Sequence, residues 1–129
     1  MVEVNSVDLS DHVESVTYTT GTNRQNAAAM ADVQDYGMPG TTFISPISIV
    51  FYADFASSKV YATVNALWVA RTTFVLSVKP DSAADSATNP KFTVNVFVGV
   101  NPFVSGTRGD RHMATVVFEP AGALTIDTA

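Results

Sequence analysis

Alternation of apolar and polar residues marks three strands along this chain. In "PISIVFYAD", Ile47, Ile49 and Phe51 share one face. In "TFVLSVKP", Phe74, Leu76 and Val78 do the same. In "KFTVNVFVGVN", Phe92, Val94, Val96, Val98 and Val100 lie on one face, with Thr93, Asn95, Phe97, Gly99 and Asn101 on the other. A fourth segment, "HMATVVFEP", has apolar residues on both faces, which predicts a central strand covered on both sides. An earlier one, "HVESVTYTT", changes parity between Val13 and Val16. One extra residue near Glu14–Ser15, a β-bulge, would restore the alternation.

A single stretch departs from the two-residue period. "DFASSKVYATVNALWVA" places Val60, Val64, Leu67 and Trp68 at helical spacing. It predicts one short amphipathic helix at about 57–68, capped by Asp54, Ser57 or Ser58 and anchored in the core by Val64, Leu67 and Trp68. The turns follow from Pro, Gly and small polar residues. They are "PDSAADSATNP", "NPFVSGTRGDRH" and Pro120–Gly122, with a last short strand through Leu124 and Ile126. The fold class is therefore mainly β: an antiparallel β-sandwich or barrel in one domain over 1–129, with one short flanking α-helix.

The segment Gly21–Gly40, "GTNRQNAAAMADVQDYGMPG", fits neither period. It reads as a long loop of about 21–40 between two strands. Connections of that length inside a small domain are uncommon and usually functional.

Composition narrows the function. Of 129 residues, 47% are hydrophobic and 15% charged, too apolar for a disordered chain. No apolar run reaches the ~18–20 residues of a membrane-spanning helix, so no membrane partner is expected. The first residues, "MVEVNSVDLSDH", hold no basic cluster and no apolar core of the kind a secretory signal carries. With no Cys there is no disulfide, thiolate metal site or Cys nucleophile. The net charge of −5 is uneven: residues 1–53 hold six acids and one base, and residues 54–129 six of each. An acidic chain lacks the footprint of a nucleic-acid binder.

Catalytic constellations are not visible. His12 and His112 have no ligands at matched spacing, and their default place is an exposed loop or strand edge. No Gly-x-Ser-x-Gly elbow and no phosphate-cradling loop occur. Arg108-Gly109-Asp110 matches the cell-adhesion tripeptide but is also ordinary turn chemistry. No enzyme activity, cofactor or metal is expected. A carbohydrate-binding sandwich would need an aromatic platform, for which Tyr18, Tyr36 and Tyr52 are the candidates.

The order of features carries a further indication. "LSDHVESVT", "DFASSKVYATV", "KPDSAADSATNPKFT" and "ATVVFEPAGALT" occur in that order across nearly the whole chain. In this the sequence resembles the small tail tube (major tail) proteins of long-tailed bacteriophages, especially those of actinobacteria. The resemblance implies a β-sandwich subunit that closes, in six copies, into rings whose inner sheets form a continuous barrel. Rings stack into a tube through which DNA passes, and the long loop reaches the neighbouring ring. The candidate contact residues on that loop are Asn23, Arg24, Gln25, Asn26, Met30, Asp32, Asp35 and Tyr36.

The implied partners are further copies of the chain and tail proteins such as the tape measure and tail terminator, with DNA only in transit. The implied location is the virion tail, after assembly in the host cytoplasm. Asp11 and Glu14 are candidate acids of the lumen or its rim, where they would repel phosphates. Thr93, Asn95, Gly99 and Asn101, or the face of Ser48, Val50 and Tyr52, are candidates for the inner surface. The alternative is a capsid-decoration or head-surface protein of similar β-sandwich fold.

Overall fold

The computed structural model describes residues 1–31, 33–102 and 104–129. The chain opens with β1 (Val2–Val4), β2 (Val7–Asp8), a 3-10 turn (Ser10–His12) and β3 (Val13–Thr17). A hairpin of β4 (Thr20–Asn26) and β5 (Gly37–Ile44) follows, then β6 (Ile47–Tyr52) and α1 (Val60–Ala70). The chain ends with β7 (Phe74–Val78), β8 (Lys91–Val100), β9 (Met113–Pro120) and β10 (Thr125–Asp127). All described pairings are antiparallel. The main sheet runs β2-β1-β7-β8-β9-β6-β3, with β10 added alongside β8, and β4-β5 form a separate ribbon. The architecture is an antiparallel β-sandwich with one short helix.

The alternating strands place their apolar residues as the two-residue period requires. Ile47, Ile49, Phe51, Leu76, Val94, Val96, Val116 and Phe118 are all buried in one cluster. Phe74 and Phe118 meet edge to face, ring centroids 5.9 Å apart. β9 is central, between β8 and β6, but only one of its faces is covered. Val116 and Phe118 are buried, Val117 is half-buried and Thr115 is exposed. The mixed apolar pattern of this strand therefore does not mean two buried faces.

Two bulges set which side chains reach the core. On β3 the register passes from Val13↔Phe51 directly to Ser15↔Val50, so Glu14 is the extra residue and Val13 and Val16 both turn inward. On β8 it passes from Val98↔Phe118 to Val100↔Val117. Parity flips at Gly99. Val100, assigned to the core face by simple alternation, is exposed, while Asn101 turns inward against Val60 and Val64 of the helix.

α1 differs in detail from the expected helix. It starts at Lys59–Val60, and no side chain caps its first turn. Asp54 instead holds the approach: its Oδ1 accepts the Ala56 N–H (2.9 Å) and its backbone oxygen accepts the Tyr61 N–H (3.1 Å). Val60 and Val64 are the buried anchors, with Leu67 packed beside them. Trp68 is not a core anchor, being 40% exposed. At 100° per residue Leu67 falls about 20° from Val60 around the helix, and Trp68 about 80°, beyond the packed stripe. Arg71, at φ 54°, ends the helix in the left-handed conformation, and its N–H reaches the Leu67 and Trp68 carbonyls.

The loop after β7 is held rather than loose. Asn89 is buried, its Nδ2 donating to the Ala83 and Ala84 carbonyls (2.9 and 3.2 Å) and its Oδ1 accepting the Asp81 N–H (3.0 Å). Lys79 Nζ donates to the Ala83 carbonyl (2.7 Å) and to Asp85 (2.9 Å).

Candidate assembly surface

The segment read as a loop of about 21–40 is a projecting β-hairpin. β4 and β5 pair from Thr20↔Ile44 to Asn26↔Gly37, with a shift between Thr22 and Arg24. Residues 27–36 connect them. Strand alternation was absent from the sequence because the hairpin has no buried face: almost all of its side chains are exposed. Local contacts shape it. The Phe43 ring lies so close over Gly21 that a Cβ there would sit 2.5 Å from it, and the Arg24 side chain covers Gly37 in the same way. Asn23 Nδ2 donates to Thr41 Oγ1 (3.0 Å). At the tip, Asn26 Oδ1 accepts the Ala28 N–H (3.0 Å), and Ala27 N–H donates to the Tyr36 carbonyl (3.1 Å).

The contact candidates are thereby distributed over one structure. Asn23, Arg24, Gln25 and Asn26 lie on β4, Met30 at the tip, and Asp35 and Tyr36 on the return, all exposed. Asp32 lies outside the described residues. Sequence reading passed over Val33, Met38 and Phe43, exposed apolar residues of the same hairpin. An isolated two-stranded hairpin is marginal in water, and its apolar side chains gain nothing from solvent.

At the 3-10 turn, His12 is not an exposed loop residue: its side chain is only 16% exposed. Nδ1 lies 2.6 Å from Asp11 Oδ1 and Nε2 2.8 Å from Asp54 Oδ2, with Lys59 Nζ 3.6 Å from Asp11. Both partners are carboxylates, so only a doubly protonated imidazolium donates to both. The Asp11 hydrogen bond holds the His12 pKa above its ordinary 6.5, with Asp54 adding to it and burial opposing. Asp11 is held below its ordinary 3.8 chiefly by His12, and Asp54 by the Ala56 N–H and then His12. Asp54 lies too far along the chain from His12 for spacing to have announced the pair.

A raised His pKa stabilises the fold fully below about 6.5, and that stabilisation is lost as pH rises through the folded value. Lowered Asp values stabilise above about 3.8 and are lost as pH falls through the folded values. Thermal melts of wild type and His12→Ala from about pH 3 to about pH 9 should therefore differ most between about pH 4 and 6.5 and converge above. A gap that stays constant with pH would mean that His12 acts only by packing. Among the described residues no group of three or more His, Asp and Glu is arranged to hold a metal ion.

At the two ends of the main sheet, β2 and β3 are each paired on one side only among the described residues. Beside β3 opens a largely apolar groove of about 640 Å³, lined by Val13, Val16, Phe92 and Ile126 among others, with Glu14 and Lys79 also in its wall. A smaller pocket of about 340 Å³ lies between the end of α1 and β8, lined by Trp68, Arg71 and Phe97 among others. On the outer face of the main sheet, Asn95 and Gly99 are exposed, while Thr93, Ser48, Val50 and Tyr52 are half-buried. The tyrosines form no common platform. Tyr18 packs its ring near Phe92 (6.0 Å) with its hydroxyl buried, Tyr52 lies under the Arg111 guanidinium (3.6 Å), and Tyr36 stands on the hairpin. No described helix is long and apolar enough to cross a membrane.

No protein-family model matches the chain, and no curated protein matches it. Among solved structures it is similar to a chain of the virion of a native gene transfer agent particle. That match has 9% identity and a TM-score of 0.73, over 99% of this chain and 94% of that one. It is also similar to a chain of the tail of an empty gene transfer agent particle with C6 symmetry, at 10% identity and TM-score 0.72, with the same coverage of 99% and 94%. At these identities the likeness is one of fold.

Proposed function

We propose that this chain is a structural, self-assembling subunit of a phage-type tail tube. Six copies close into a ring, rings stack head to tail, and DNA passes through the channel. The observation that carries the reading is the end-to-end likeness of fold to a chain of a C6-symmetric tail, over 99% of this chain. The projecting hairpin and the two end strands of the main sheet agree with it, because each presents backbone or apolar groups that association would satisfy.

Ring closure uses a different patch on each side of the subunit, so the contact is heterologous and closes by rotation. Edge strands of neighbouring subunits remove each other's unpaired N–H and C=O groups. The hairpin spans the step to the next ring. The acid excess of residues 1–53 keeps DNA from lodging, since few Lys or Arg are present there to bind phosphate by counterion release. Of the two candidate acids, Asp11 shares its charge with His12 and Lys59, whereas Glu14 has no ion pair among the described residues. Glu14 is the better candidate for an acid facing DNA. The partners are other copies and the remaining tail proteins, tape measure and terminator among them. The site of action is the virion tail, assembled in the host cytoplasm, with no cofactor and no catalytic step.

Negative-stain images of purified protein at high concentration test this. Tubes or stacked rings with six-fold end views are expected. A sample that stays monomeric under all solution conditions overturns the proposal, and trimers without tubes transfer the chain to the head surface.

A further inference from the structure

The leading end of β3 is weakly attached to the main sheet. The strand is five residues long, paired only with β6 among the described residues, and interrupted by the bulge at Glu14. Its inward residues, Val13 and Val16, are only partly buried. Segments of this kind open locally, at a lower cost than unfolding the whole domain. A cross-link sits directly before this end. His12 Nε2 meets Asp54, 42 residues further along the chain, at 2.8 Å, while Nδ1 meets Asp11 of its own turn at 2.6 Å. Asp54 is a fixed post. Its side chain accepts the Ala56 N–H, its carbonyl accepts the Tyr61 N–H, and the Ala53 N–H before it donates to the His112 carbonyl. The turn has a second tie, Lys59 Nζ at 3.6 Å from Asp11, but those side chains are 42% and 63% exposed. Exposed pairs of that kind hold little.

The cross-link depends on one proton. An imidazolium donates from both ring nitrogens, one to each carboxylate. A neutral ring turns a lone pair toward one of the two carboxylates, and the hydrogen bond it keeps has lost the charge on its donor. The charged groups bearing on His12 are few. Asp11 and Asp54 touch it, and Lys59 acts through Asp11. Asp8 on β2 feels the Asp11 charge, and its Oδ1 accepts the Ser10 N–H (2.9 Å). No other charged side chain lies within ion-pair distance of His12 among the described residues.

We infer that His12 is a proton-operated latch: it fastens the leading end of β3 to the approach of α1, and loss of its proton lets that end open while the rest of the sheet stays paired. The latch acts within a single copy and does not depend on the tube reading. Its direction follows from the partners. Asp11 and Asp54 hold the proton on folded His12 above the ordinary 6.5, so the latch is closed below about 6.5 and releases as pH rises through the folded value.

Amide hydrogen exchange of the dilute, isotope-labelled protein tests this, with rates corrected for the intrinsic pH dependence. The reporters are the β3 amides, among them Val13, whose N–H donates to the Ser10 carbonyl. Their protection should be constant below about pH 6 and then fall about ten-fold for each unit by which the folded His12 value exceeds 6.5. It should also be insensitive to low urea, the mark of a small opening, whereas exchange at the core positions Val94 and Val96 should be urea-sensitive. The midpoint of the fall should coincide with the titration of the His12 ring followed by its own proton resonances. Asp54→Asn should lower that midpoint and shrink the fall together, and His12→Gln, which does not titrate, should show no fall. β3 amides that exchange with the core, with the same urea sensitivity, overturn the local latch. A fall that persists in His12→Gln, or a midpoint unmoved in Asp54→Asn, overturns it as well.

Discussion

Excising the outer hairpin should abolish tube formation and leave the subunit folded. Thr22 and Thr42 face each other in the register, so residues 23–41 can be replaced by an Asn-Gly turn that closes the shortened ribbon. The removed part packs chiefly on itself, and its side chains are almost all exposed. The shortened root keeps its place beside Pro120–Leu124. Thermal stability should therefore change by less than about 1 kcal/mol, the range of surface alterations. Polymerisation should disappear, because the excision removes Met30, Val33, Tyr36 and Met38 together, the apolar side chains that another copy would cover. Sedimentation and electron microscopy of the variant check both halves. Tubes of normal length would show that the hairpin does not connect rings. An unfolded variant would show that it belongs to the core.

Phe118→Ala is expected to have the largest effect on the subunit itself. Phe118 is fully buried on the central strand β9, faces Ile47 across one pairing and Val98 across the other, and stands edge to face with Phe74. Truncation removes its contacts and leaves a cavity that the flanking strands cannot close, because their register is held by backbone hydrogen bonds. A loss of about 3–5 kcal/mol is expected. That is a large part of the ~5–15 kcal/mol that holds a domain folded. Phe97→Ala is the internal comparison. Phe97 is only one residue from the buried Val96 but points to the outer face, and it is 42% exposed. Its truncation should cost the monomer less than about 1 kcal/mol. Urea titrations of both variants measure the contrast, and equal losses would contradict the assigned facing of β8.

The two phenylalanines also illustrate what alternation conveys. Ile47, Ile49, Phe51, Phe74, Leu76, Val94 and Val96 were readable as core because each lies in a strand with one apolar face. The bulge at Glu14 was readable too, since the parity break lies between two valines that both need burial. Beyond Gly99 the same rule misplaced Val100 and Asn101, because a glycine carries no side chain to record which way the strand turned. Trp68 was misplaced for another reason. Its type suits a core, but its angle on the helix decides, and Val60, Val64 and Leu67 already fill the stripe. The assembly surface was the least legible part. A ribbon exposed on both faces leaves no periodic trace, so Gly21–Asn26 reads as loop from sequence although it pairs with β5.

By itself the sequence determined the fold class, the positions of the half-buried strands, the single helix, the acidic first part and the presence of an anomalous segment near residues 21–40. All of these are local: they depend on neighbours within a few residues and on whether one face meets a core. The tertiary structure decided what depends on distant partners. It paired Thr22 with Thr42, set His12 between Asp11 and Asp54, turned Asn101 inward, and left the groove beside β3 open. Hydrogen bonds and packing join residues by proximity in space, and no one-dimensional period encodes which distant segments will meet.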